Sequence, residues 1–349
     1  MAHKTTIYDI AKKLGITAAT VSRALNDHPR ISEATKKMVM STAREMNYVP
    51  NKLALALKNG KSTNVGVVVP FINRHFFSNV IRGIEEELYP KGYNVIICQT
   101  HDEEQRERDI IQNLMNSQVE GIIISIARTN TKFDHLEQVL KKGLPMVFFD
   151  RKRDMEGVVS VAIDDFQGGY DATMHLVKQG CRTIAHLRGD RTLEIYWERF
   201  KGYQQALKDS GLAYREELVL DITSVEEEGL RAAQRLMAVE NPPDAIFSSS
   251  DYGALGAIKW LVQKGYRIPD DICVVGFSNE PFTQIMDLSI SSVDQSPMEM
   301  GRMAARVFLD GTDVTDTAKT QKRVVLSPTL MVRDSSLRDS GPVPSPKVD

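Results

Sequence analysis

The chain has 349 residues, 42% hydrophobic and 26% charged, with a formal net charge of −2. At roughly 150 residues per domain, two or three domains are expected, and the globular composition excludes wholesale disorder and collagen. No apolar run reaches the ~20 residues of a bilayer span, and MAHKTTIYDIAKKLG lacks the apolar core of a secretory signal. Cys98, Cys181 and Cys273 stand far apart, in or beside apolar runs and without a Cys-x-x-Cys clip. They read as buried free thiols of a cytoplasmic protein, with no membrane, metal or cofactor expected. Charge is divided unevenly: residues 1–61 hold eleven Lys and Arg against four acids, net +7, leaving −9 on the rest. That asymmetry suits a small head that alone meets a polyanion, although a basic face is as often plain solvated surface.

The first fifty residues read as three short helices. Thr6 caps the first, with Ile7, Ile10, Ala11 and Leu14 at helical spacing and Gly15 closing it. Thr17 caps the second, which buries Val21, Ala24 and Leu25, and Gly15 falls in the tight turn of a helix-turn-helix. Ser32 caps the third, with Met38, Val39, Ala43 and Met46 facing inward and an end at Asn47. The exposed positions of the second helix are Thr17, Ala18, Ala19, Ser22, Arg23 and Asn26. Short side chains let a backbone sink into a major groove, where Ala meets a thymine methyl and Arg pairs with guanine. Thr6, Tyr8, Ser32, Thr35 and Asn51 suit phosphate contacts, which position without specifying.

The segment TTIYDIAKKLGITAATVSRALNDHPRISEATKKMVMSTAREMNYVPNKLALAL resembles, without a gap, the DNA-binding head of the LacI/GalR family of bacterial transcription regulators. TVSRALN and NYVPN make the resemblance specific. It implies that Thr17, Ala18, Ala19 and Arg23 face base edges. It implies too that Asn51 to Lys58 form a hinge, with Ala54 in it and Leu57 wedging the central base step of the operator. The family's frequent hinge arginine is replaced by Leu55, so a minor-groove or phosphate contact is either missing or taken over by Lys52 or Lys58.

From Thr63 apolar strand-length runs alternate with amphipathic stretches: NVGVVVP, YNVIICQT, GIIISI, PMVFFD, VSVAID, TIAHLRG, LVLDI, AIFSSS and CVVGFS. Unbroken apolar strands separated by helices mean parallel sheets covered on both faces. Their number exceeds one compact sheet, so the expected fold is an α/β body of two doubly wound parallel-sheet subdomains behind a small all-α head. The resemblance continues through FFSNVIRGIE, PMVFFDR, ERFKGYQQAL, AIFSSSDYGALGAI, IPDDICVVGFS and SSVDQSPMEMGRMAARVFL, and implies a periplasmic-binding-protein-like effector core. The layout expected is a head at 1–50 and a hinge helix and linker at 51–62. The N-terminal subdomain takes 63–163 plus 293–324, the C-terminal one 164–292 plus 325–338, and 339–349 is a disordered tail.

Ligands of such sheets bind at the carboxyl ends of strands. The resemblance implies effector contacts at Arg74, Phe76, Asp150, Arg151, Arg199, Ser250, Asp251 and Ser278, and Trp197 could stack on a sugar ring or simply cover the cleft edge. Ser278 stands where many relatives carry an Asp. With that acceptor lost and three arginines kept, a more positive pocket is expected, with a sugar, sugar acid or sugar phosphate as effector, unless Asp150, Asp164 or Asp251 neutralises the arginines. An enzyme is disfavoured: Leu55 spoils the phosphate-loop spacing before Gly60-Lys61-Ser62, and no G-x-G-x-x-G, G-x-S-x-G or H-E-x-x-H occurs. A DNA-binding transcriptional regulator acting as a repressor is expected, with a near-palindromic operator, a sugar-like effector and a homodimeric state. The alternatives are control by a protein partner and a pure solute-binding protein.

Overall fold

The structure, a computed structural model, describes residues 5–49, 62–128, 132–311 and 323–338. It divides into two compact units, Met1–Ser62 and Thr63–Asp349. The expected hinge residues Asn51, Ala54 and Leu57 and the 339–349 tail lie outside the described residues.

The head consists of α1 (Ile7–Leu14), α2 (Ala18–Leu25) and α3 (Glu33–Glu45). Each starts on the expected hydroxyl: Thr6 accepts from the Asp9 amide in a full capping box, Thr17 from Thr20 and Ser32 from Thr35. Gly15 closes α1 at φ +65°, the left-handed conformation that lets the chain turn directly into α2. Ile10, Ala11, Val21, Ala24, Val39 and Ala43 form the core. Two expectations shift: α3 stops at Glu45, because Asn47 turns left-handed, and Met38 is exposed while Thr42 is buried in its stead. Lys36 is bonded to both Asp27 (2.6 Å) and Glu33 (2.8 Å), tying the loop after α2 to α3.

In the body, β1 (Asn64–Val69), β2 (Asn94–Gln99), β3 (Gly121–Ile124), β4 (Met146–Phe149), β5 (Val159–Ile163) and β11 (Arg323–Leu326) make the first sheet, in the order β11-β5-β4-β3-β1-β2. The second contains β6 (Ile184–Arg188), β7 (Val219–Asp221), β8 (Ala245–Ser248), β9 (Cys273–Phe277), β10 (Ser291–Asp294) and β12 (Thr329–Met331), in the order β12-β10-β9-β8-β6-β7. All nine apolar runs are strands. Pairing is parallel throughout except for β12, which runs antiparallel to β10. One apolar cluster joins Val67 and Phe149 of the first sheet to Phe247 and Phe277 of the second. Cys181 and Cys273 are buried, whereas Cys98 is only half-buried; all three are free.

The chain crosses between sheets three times, and two crossings differ from expectation. Strand β10 stays in the second sheet through Asp294, because Val293 pairs with Phe277. The second crossing therefore falls after Asp294 rather than before Val293. Strand β11 pairs with β5 as far as Leu326, so the third lies between Leu326 and Thr329 rather than at Val324.

Helices α4 (Asp165–Lys178) and α5 (Glu194–Asp209) pack closely enough that only glycine fits at their crossing. A Cβ on Gly169 would lie 2.2 Å from the Arg199 carbonyl, and one on Gly202 2.1 Å from the Phe166 carbonyl. Rigid backbone on both sides leaves no side chain to yield. Gly202→Ala is therefore expected to destabilise the body by about 1–3 kcal/mol through forced helix separation, measured by urea unfolding.

Candidate functional site

On the head, α2 presents Thr17, Ala19, Arg23 and Asn26 as exposed residues, with Ala18 and Ser22 half-buried. Arg23 has no ion-pair partner among the described residues, so its guanidinium is free to reach outward. Asn26 is partly engaged, its amide donating to the Ser22 carbonyl at 2.7 Å. Thr6, Thr17 and Ser32 serve as caps, while Tyr8 is 72% exposed and Thr35 half-buried.

In the body, a cleft of about 270 Å3 lies where the carboxyl ends of the two sheets converge. An adjoining cavity of about 670 Å3 shares Asp150 and Arg151 with it but is walled by the crossover segment 163–166 and by residues 323–325 of the edge strand β11. Convergence of the strand ends makes the smaller cleft the candidate ligand site. Of the residues expected there, Arg74, Phe76, Asp150, Arg151, Arg199, Ser250 and Ser278 line it. Two do not. Asp251 points back into the sheet, accepting from Ser292 (2.6 Å) and from the Glu280 amide (2.8 Å). Trp197 is 43% exposed and packs on Phe200, one helical step from Tyr196, which takes the place in the wall.

Asp190, at the end of its strand, also lines the cleft, as do Asp102, Arg128, Tyr196, Tyr252, Glu280 and Gln295, which no sequence signal placed there. Several wall residues have strained backbones: Asp150 has φ +57° and Ser278 φ +112°. Such non-glycine conformations cost about 1–3 kcal/mol each and concentrate at ligand clamps.

The expected excess of positive charge is absent. Arg151 donates to Asp102. Arg199 donates to Asp165 (2.8 Å), the Ser249 carbonyl (3.0 Å) and Gln295 (3.2 Å), lying 3.6 Å over the Phe277 ring. Gln295 in turn donates to the Ser278 hydroxyl at 2.9 Å. Two contacts span the cleft, Arg74 to the Ser224 carbonyl (3.2 Å) and Arg128 to Asp190 (3.7 Å), and a third, Lys152 to Glu194 (2.8 Å), lies in the adjoining cavity. Arg74 also lies 4.3 Å over Tyr252. Burial pushes the Asp150 carboxyl up, against the pull of Arg151 and Arg199. Burial and the nearby Asp251 raise Glu280 to about 7, with Arg74 opposing.

Family comparisons agree with both halves of the molecule. Residues 6–51 match the model of bacterial regulatory proteins of the lacI family, and 62–332 match periplasmic binding proteins and the sugar binding domain of the LacI family. The chain belongs to the LacI family. This LacI-family protein is 32% identical over 334 residues to the HTH-type transcriptional regulator DegA of Bacillus subtilis, covering 95% of this chain and 98% of that one. It is 31% identical to the catabolite control protein A of Priestia megaterium, covering 87% and 91%. Among solved structures it is similar to a transcriptional regulator CelR in complex with cellobiose (29% identity, TM-score 0.71, 95% and 100% covered). The lac repressor dimer bound to operator, at 22% identity, shares the fold with a TM-score of 0.84. The LacI-family assignment makes it a DNA-binding transcriptional regulator whose body is an effector-binding domain. No described helix is long and apolar enough to cross a membrane.

Two outcomes follow for the cleft. Arg199→Ala strands Asp165 in the interior and should cost about 3–5 kcal/mol, read by denaturant unfolding. Glu280 binds its proton more tightly folded than unfolded, so its contribution to stability falls as pH rises from about 4.5 to about 7. Glu280→Gln removes that loss: the variant should melt higher than the wild type at pH 8, and the two should converge at pH 5.

Proposed function

We propose that this regulator acts from the cytoplasm as a homodimer on a near-palindromic operator, and that a small sugar-like metabolite in the cleft changes its operator affinity. It binds and releases ligand without catalysing a reaction. The observation that carries the reading is the α2 face, with short side chains around one free long cation, Arg23. A single eight-residue helix reaches only a few base edges, so specificity needs two heads in successive major grooves. The cellobiose bound by the CelR relative supports a carbohydrate-like effector. The polar, strained strand ends around the cleft support the same class.

Effector and operator are then coupled through the same chain, and a coupling of ~1–3 kcal/mol changes operator affinity ~5–150-fold. Arg23 reads a base, Thr17, Ala18 and Ala19 shape the approach, and Asn51, Ala54 and Leu57 belong to the hinge.

Selection from a randomised duplex pool tests this. The wild type should enrich a two-fold symmetric site. Arg23→Ala should weaken binding by about 1–3 kcal/mol and relax one position in each half-site. Enrichment of no common sequence, or an unchanged profile for the variant, refutes the base-reading role.

A further inference from the structure

Two of the three cysteines meet beside the second sheet. Asp244, just before β8, fixes the backbone around both. Its carboxylate accepts from the Arg182 and Thr183 amides (2.8 and 2.9 Å), and its carbonyl from the Cys273 amide (3.0 Å). Cys181 lies in the turn after α4 and Cys273 opens β9; their thiols hydrogen-bond to each other. That bond draws the Cys273 thiol down against burial, with the Arg338 charge assisting. The same bond, together with burial, holds the proton on Cys181. A thiol with thiolate character thus faces a protonated one, and the thiolate is the reactive form of cysteine.

The surroundings suit redox chemistry better than metal binding. Among the described residues no group of three His, Cys, Asp or Glu could hold a metal ion. Apart from Cys181, the Cys273 sulfur meets only the Pro269 carbonyl (3.5 Å) and the Ser336 carbonyl (3.9 Å). Segment 333–338 passes over it. Ser336 is bonded to His175 (2.7 Å) and Ser291 (2.6 Å), and Arg338 to the Pro269 and Gln179 carbonyls (3.0 and 3.3 Å). Both cysteines are fully buried, yet Leu337 of that segment is 52% exposed. A short segment held by a few hydrogen bonds opens locally without global unfolding, which admits a small uncharged oxidant.

We propose that Cys181 and Cys273 are a redox modification site, at which hydrogen peroxide forms a reversible intramolecular disulfide that stabilises the effector domain. The Cys273 thiolate attacks one peroxide oxygen; the O–O bond breaks, a sulfenic acid forms and hydroxide leaves. The Cys181 sulfur then attacks the sulfenic sulfur. The S–S bond forms, the S–O bond breaks, and the hydroxyl departs as water with the Cys181 proton. Two sulfurs are oxidised by two electrons in all, and one peroxide is reduced. The bond sits at the amino ends of β6 and β9, whereas the cleft lies at the carboxyl ends. It therefore acts by closing the long loop from 181 to 273, which restricts the unfolded chain.

The test keeps the full chain folded in a small molar excess of hydrogen peroxide. The reaction is quenched, the chain unfolded, and its free thiols are alkylated and counted by mass. Two of the three thiols should be lost, a cross-linked peptide should join Cys181 to Cys273, and dithiothreitol should return all three. The oxidised chain should unfold at a higher urea concentration than the reduced one. Cys181→Ser and Cys273→Ser, each shown to fold by its melting transition, should form no internal bond; the peptide map of the unaltered chain stands without them. Retention of all three thiols, a bond through Cys98, or a bond made only in the unfolded chain overturns the site. An unchanged or lower urea midpoint in the oxidised chain overturns its stabilising role.

Discussion

The body is organised around one buried guanidinium. Arg199 holds Asp165, the first residue of the helix entered after the first crossing, and Gln295, the residue at which the second crossing begins. Its remaining contact is with the end of β8, and the Phe277 ring supports it from below. A charge placed this deep is tolerated only with every partner in position. The relation between the two sheets is thus registered where the chain passes from one to the other. The close approach at Gly169 and Gly202 brings Asp165 and Arg199 within reach, so backbone packing and charge pairing depend on each other.

Much of this was legible in the amino acids. A strand covered on both faces has no polar side to show, and Val65 to Val69, Ile122 to Ile124 and Val274 to Phe277 declare themselves as apolar runs. The late strands β10, β11 and β12 are short; the last two lie at sheet edges and alternate half-buried with exposed residues, so no run marks them. This is why the last two crossings read a few residues early. In the head, Thr42 is buried although polar and Met38 exposed although apolar, an inversion that helical spacing alone does not distinguish.

The cleft was half legible. Strand ends located it, and the family pattern located its arginines. Their partners were hidden: Asp102 and Asp165 look like any other loop or helix acid until the fold brings them to Arg151 and Arg199. Counting charges along the chain therefore predicted a positive pocket, whereas pairing them in space gives a balanced one. Glu280 escaped notice for the opposite reason, since a lone Glu beside a proline suggests a turn on the surface, yet here it is buried.

The three polar bridges in the cleft and the cavity beside it have a consequence of their own. Arg128–Asp190 and Lys152–Glu194 are ion pairs with partly exposed members, and Arg74 adds a third cationic contact. Mobile ions weaken such attractions over a screening length of about 8 Å at physiological ionic strength. Mobile ions likewise compete for the phosphates that a head of net +7 would neutralise. Ionic strength therefore acts on both units, weakening the attraction of the head for phosphates and the ion pairs of the body alike.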